Sequence, residues 1–187
     1  MPRLMIVVGS VRPGRVGLPV AEWVRDAAEA HGGFDIDFVD LAELNLPFMD
    51  EPNHPRLRAY TQQHTIEWSE RVDAADAFVF VTPEYNYSYA PALKNAIDYL
   101  AQEWRRKPVG TVSYGGVSAG TRGVVALRPV LTAVGLLISQ PNVEINFPAK
   151  QLGDDGRFEP TEQQAAVSTA MFGELMALSA ALAPVRA

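Results

Sequence analysis

The chain has 187 residues, 48% of them hydrophobic, with a formal net charge of -6 and no cysteine. That length accommodates one domain with a sizeable core; the missing thiols exclude disulfides, thiolate metal sites and cysteine nucleophiles, and the acidic balance argues against a nucleic-acid partner. Apolar runs fall short of the roughly 20 residues a bilayer demands, and the start shows neither a basic leader nor a cleavage site, so a cytoplasmic protein with no membrane association is expected.

Apolar runs alternate with segments of helical period, the pattern of a parallel sheet covered on both faces. Strand one is expected at about 3–8, then the loop GSVRPGRVG, then a helix at about 18–31 that turns Ala21, Val24 and Ala28 to the sheet. FDIDFVD, about 34–40, alternates Phe34, Ile36 and Phe38 with acids, which predicts a strand with one wet face at a sheet edge. After LAELNLPFMDEPNHP comes a helix at about 56–74, then the fully apolar strand AFVFVT at 77–82.

PEYNYSYAP leads to a helix at about 91–101, with Pro91 suited to its first turn. PVGTVS, 108–113, is strand four, and YGGVSAG opens a helix at about 121–134. Strand five lies near 137–145. A polar loop, roughly 149–160, precedes a last helix at about 161–183, whose stripe runs through Met171, Leu175, Leu178 and Leu182. Five such units predict a single α/β domain over residues 1–187, a flavodoxin-like doubly wound five-stranded parallel sheet of order 2-1-3-4-5. In that order the loops after strands one and three flank the switch point, where such sheets bind ligands.

Three loops at that edge carry chemistry. Gly9 to Gly17 holds three glycines, the Ser10 hydroxyl and the guanidiniums of Arg12 and Arg15. Glycines let backbone N–H groups close around an anion, the following helix adds its positive end, and Arg donates in fork geometry suited to a phosphate monoester. Pro83-Glu84-Tyr85-Asn86-Tyr87-Ser88 offers aromatic faces and an amide for a ring system. Ser113-Tyr114-Gly115-Gly116 lets a planar ligand approach the backbone. Phosphate site beside ring site implies a mononucleotide-shaped ligand. Trp23 reads as core.

These residues resemble the NADPH-dependent FMN reductases, a family of flavodoxin-like fold that includes quinone, azo-dye and chromate reductases. The resemblance rests on GSVRPGRVG, on PEYNYSYAPALKNAIDYL at 83–100, on the glycine turn at 115 and on DLAELNLPFMDEP at 40–52. It departs from the common pattern at Tyr89-Ala90-Pro91, where many members have a small residue, proline and glycine. The resemblance implies that Ser10, Arg12 and Arg15, with backbone groups from Gly9 through Val16 and Gly17, hold the phosphate of flavin mononucleotide (FMN). It implies that Pro83, Glu84, Tyr85 and Asn86 border the flavin ring largely through backbone, and that Ser113 and Gly115 close its other side. Lys94, Asn95 and Asp98 read as helix residues near the site.

The implied activity passes a hydride from NADPH or NADH to bound FMN and on to a quinone-, azo- or flavin-type acceptor by a ping-pong mechanism. The flavin does the redox chemistry, so no catalytic side chain is assigned and no metal is expected. A homodimer or homotetramer is implied too. The alternative is an FMN-binding electron carrier or sensor without NAD(P)H activity. A hydrolase reading of GVSAG, 116–120, fails because Ser118 lies beyond the strand and all three histidines, His31, His54 and His64, precede it. A phosphate-binding loop of the GxxxxGK[ST] type fails because Arg15 and Val16 replace its lysine and hydroxyl. Arg122, near the third loop, could meet a 2′-phosphate.

Overall fold

The computed structural model describes residues 1–186. Strands β1 (Arg3–Val8), β2 (Asp35–Asp40), β3 (Ala77–Pro83), β4 (Pro108–Gly115), β5 (Leu137–Ile138) and β6 (Val143–Asn146) form one parallel sheet. Their order is β2-β1-β3-β4-β5, with β6 also paired to β4. This is the doubly wound order expected.

Alternate residues of each strand feed two cores, as the two-residue period of a strand requires. Met5, Val7, Phe78, Phe80 and Val109 pack under α3 (Gln63–Asp73), α4 (Pro91–Asp98) and α5 (Thr121–Ala133). Leu4, Ile6, Val8, Val79, Val81 and Val112 pack under α1 (Gly17–His31) and α6 (Glu162–Leu182). Ala21, Val24 and Ala28 of α1 face the sheet as expected. A short helix, α2 (Leu41–Leu44), follows β2 directly.

Several expectations are corrected. Strand five is two pieces, β5 and β6. Pro141 has no N–H to give, and Asn142 turns its side-chain oxygen inward to accept from the Thr111 amide (3.2 Å) and hydroxyl (2.9 Å). The helix expected at 56–74 is a 3-10 turn, Pro55–Leu57, and then α3; Arg58 is left-handed between them (φ 50°). Helix α4 ends at Asp98 because the buried indoles of Trp68 and Trp104 donate to the carbonyls of Ala96 (2.9 Å) and Ile97 (3.1 Å). These are the acceptors another turn needs.

β2 is at the edge, but of its acids only Asp35 is wet. Asp37 is buried and accepts from Arg71 of α3 at 2.6 and 3.0 Å. On α6, Met171 and Leu175 are buried, whereas Ser179 replaces Leu178 and Leu182 at the innermost position. The buried residues Ser168, Met171, Phe172, Leu175 and Ser179 recur three or four apart, so the inward stripe is centred between Met171 and Phe172. By length and composition, Glu162–Val185 is also apolar enough to cross a membrane, against expectation. Alanines 165, 166, 170, 177, 180 and 181 make its outward face, while Met171, Phe172 and Leu175 seat it on the sheet.

Candidate functional site

The three loops meet at the carboxyl edge of the sheet and are bonded to one another. The Gly9 N–H donates to the Val81 carbonyl (2.8 Å), so this amide belongs to the sheet. Ser10 is buried, its Oγ 2.8 Å from the Tyr85 hydroxyl, which ties the first loop to the second. The Glu84 N–H donates to the Tyr114 carbonyl (3.0 Å), which ties the second to the end of β4.

Three helices begin on this rim: α1 behind Val16 and α4 behind Ala90, neither with a side-chain N-cap, and α5 behind Gly120, whose Arg122 N–H is met by the Glu84 carboxylate (3.2 Å). Away from the rim, Asp40 caps α2, the Thr161–Gln164 pair caps α6, and the Glu51 carboxylate accepts from the Thr61 and Gln62 N–H groups just ahead of α3. The open N-termini of α1 and α4 present N–H groups and the positive ends of two helix dipoles to this rim. Two glycines make the arrangement possible. A Cβ on Gly17 would stand 2.1 Å from the Tyr114 hydroxyl. Gly120 has φ +84°, and a Cβ there would meet the Tyr114 amide at 2.7 Å.

The two arginines of the first loop differ. Arg12 is exposed and has no ion pair among the described residues. Arg15 pairs with Asp40, their side chains 16% and 4% exposed, and the same carboxylate accepts from the Ala42 N–H (2.9 Å). The Arg15 Nε remains buried without a partner. Val16 is the half-buried N-cap of α1.

In the second loop, Pro83 ends β3 and pairs with Tyr114. Tyr85 and Ser88 exchange backbone hydrogen bonds (2.8 and 2.9 Å) around Asn86 (φ 49°) and Tyr87 (φ 69°). Positive φ at both corners defines a type I′ turn. Glu84 is a brace: its buried carboxylate accepts from the Ser118 hydroxyl (2.8 Å) and from Arg122 Nε (2.6 Å) and N (3.2 Å). The Arg122 guanidinium holds the Glu84 carboxyl below its ordinary pKa; burial opposes this and Ser118 assists. Arg122 also lies 3.9 Å over the Tyr87 ring, so its donors are already engaged, unlike a guanidinium awaiting a 2′-phosphate. In the third loop, the buried Ser113 hydroxyl donates to the Ala119 carbonyl (2.9 Å), and the Gly120 amide fills the space beside Gly115.

Beside the rim lie hollows of about 290, 530 and 560 Å³ that share Val11, Phe48, Tyr85, Pro91 and Asn95 along their walls. Phe48 is 86% exposed, yet its turn is pinned. Asn95 donates to the Pro47 carbonyl (2.7 Å) and accepts from the Met49 N–H (3.2 Å); the Tyr99 hydroxyl donates to the Asp50 carboxylate (3.0 Å), which also faces His64 Nε2 (3.0 Å). A larger groove, about 770 Å³, lies away from the loops, between the Pro55 turn and the ends of α4 and α5. Sequence reading missed Tyr114, Arg122 as a brace, and Phe48. The alternation Val112, Tyr114 along β4 was the available signal for the first, because it turns Tyr114 toward α1.

The profile of the family described as NADPH-dependent FMN reductase matches residues 2–149. An NAD(P)H-dependent FMN reductase of Schizosaccharomyces pombe is 43% identical over 121 residues, 64% of this chain and 60% of that protein. The chain therefore spans about three fifths of that relative's length. A probable NADPH:quinone oxidoreductase of Oryza sativa subsp. japonica is 30% identical over 165 residues, 82% of this chain and 77% of that one. The structure of a flavoenzyme NAD(P)H:(acceptor) oxidoreductase from Paracoccus denitrificans superposes with a TM-score of 0.77 at 24% identity, covering 97% of this chain and 99% of that one. Fold order, the three-loop rim and the profile match agree: the chain belongs to the NADPH-dependent FMN reductase family.

Proposed function

We propose that this protein is an FMN-dependent oxidoreductase that takes a hydride from NADPH or NADH and delivers electrons to a small quinone-, azo- or flavin-type acceptor. One observation carries the reading: the uncapped N-termini of α1 and α4 lie with Ser10 and Arg12, which has no ion pair among the described residues, beside an apolar hollow. Such a rim fits a dianion attached to a flat apolar body. Ser10, Arg12, the N–H groups of Val11, Gly14, Val16 and Gly17 and the spare Nε of Arg15 would hold the phosphate. The turn at Tyr85 and Asn86 would border the ring from one side and the Gly115–Gly116 backbone from the other. Pro83, Glu84 and Ser113 hold those two walls in place.

Bound FMN supplies the hydride acceptor and donor, which the side chains lack. The chain would bind and orient the flavin beside the exposed Phe48 and Tyr87. A ring face left open there would serve the nicotinamide and then the acceptor, and ping-pong kinetics are the expected outcome. Val11, Phe48, Met49, Tyr87, Val117 and Phe147 are exposed apolar side chains around this edge, in keeping with a homodimer or homotetramer that covers part of it. A cysteine-free chain also suits the reducing cytoplasm.

The test is a flavin titration of the purified protein, followed by anaerobic NADPH addition and then a quinone. Binding, bleaching and quinone-dependent reoxidation support the proposal. Failure to bind FMN refutes it, and FMN binding without bleaching by either nicotinamide leaves an electron carrier.

A further inference from the structure

We propose that Tyr114 belongs to the phosphate site, its hydroxyl standing at the first turn of α1 as a neutral donor reserved for a phosphate monoester. The inference rests on the FMN reading and assigns a residue to its anion end. Tyr114 is 5% exposed, and its hydroxyl is buried without a hydrogen-bond partner among the described residues. An unpartnered buried phenol is destabilising, whereas phenylalanine would fill the same space on the α1 side of the core at no such penalty. Packing alone does not explain the oxygen.

Its position does. The Oη lies where a Cβ on Gly17 would come within 2.1 Å, against the first residue of an uncapped helix. Ser10, bonded to Tyr85 at 2.8 Å, stands near enough to act on the Tyr114 hydroxyl from the first loop. The hydroxyl, the helix N-terminus and Ser10 therefore converge from a strand, a helix and a loop. Burial raises the Tyr114 pKa above the ordinary tyrosine value, partly offset by the nearby Ser10 hydroxyl, so the group keeps its proton and remains a donor. Riboflavin, which lacks the phosphate, gives this donor nothing to bind.

The experiment is Tyr114→Phe, measured with FMN, riboflavin and inorganic phosphate. FMN binding should weaken about ten- to a hundredfold, the range for one hydrogen bond to a charged group. Riboflavin affinity should stay at the wild-type value, and the melting temperature of the ligand-free variant should be unchanged or higher. Equal FMN affinity in variant and wild type overturns the assignment. So does parallel loss of FMN and riboflavin, which marks a damaged ring pocket. If wild type binds inorganic phosphate but not FMN, and the variant loses the phosphate, the flavin reading fails while the anion role of Tyr114 stands.

Discussion

Asp40→Asn sets stability against ligand affinity, because Asp40 holds the guanidinium that the phosphate would use. Asparagine is as good an N-cap as aspartate, so the bond to Ala42 and the start of α2 survive, together with one hydrogen bond to Arg15. What disappears is the counter-charge in a site where the two side chains are 4% and 16% exposed. Losing one partner of a buried pair typically costs about 3–5 kcal/mol. With the cap and one bond retained, about 2–3 kcal/mol is expected for the ligand-free protein.

Arg15 then becomes available to the phosphate, and FMN should bind roughly ten- to a hundredfold more tightly than to wild type. At an FMN concentration about 100-fold above its Kd, mass action returns about 2.7 kcal/mol, close to the deficit. Urea unfolding with and without FMN, alongside flavin fluorescence titration, measures both quantities. Weaker FMN binding in Asp40→Asn would refute the competition and show instead that Asp40 aims Arg15 at the phosphate.

Other outcomes follow from the same structure. Arg122→Ala removes the chief donors to Glu84 and frees the Tyr87 ring, so the 84–88 turn should loosen and FMN affinity fall, with Arg122→Lys restoring part of it in the same titration. Because Arg122 lowers the Glu84 pKa, the pair contributes above the unfolded glutamate value of about 4.3 and fades as pH falls through the folded value. The urea midpoints of wild type and Arg122→Ala should therefore converge in acid. Asn95→Ala releases the Pro47 and Met49 backbone; steady-state kinetics should show a raised KM for the acceptor with FMN affinity nearly unchanged, and a fall in FMN affinity instead would place the turn at the flavin.

Lys107 gives a pH dependence far from the site. Its buried ammonium donates to the Val72 and Asp73 carbonyls (2.9 Å each), and burial pushes its pKa down to about 8 from 10.5. Between those values the unfolded chain binds the extra proton, so stability should rise with pH, by up to about 1.4 kcal/mol per unit. Above pH 10 the trend reverses, because burial and Asp50 push Tyr99 up to about 12 while the unfolded tyrosine ionises. Lys107→Met should abolish the rise in a series of urea melts.

The sheet order was legible because Leu4–Val8 and Ala77–Val81 are unbroken apolar runs, which only a strand buried on both faces tolerates. The loop at 83–88 was legible from its residue types, its type I′ geometry only from the backbone. What stayed hidden depends on partners distant in the chain. Glu84 meets Arg122 across 38 positions, and Asp40 meets Arg15 across 25. No local pattern announces either; the first braces the turn at 84–88, and the second gives Arg15 a counter-charge. The break in strand five did carry a local signal, Pro141, but the reason β4 tolerates it lies in the side chain of Asn142.

The cross-links among the three loops imply a receptor organised before its guest arrives. Little chain entropy is left to lose, so calorimetry should report a modest ordering penalty, and amide exchange at Gly9, Glu84, Tyr85 and Ser88, whose N–H groups are bonded, should already be slow in the empty protein. A scaffold of that kind recovers its shape after each release, which suits the alternating use of one surface proposed for it.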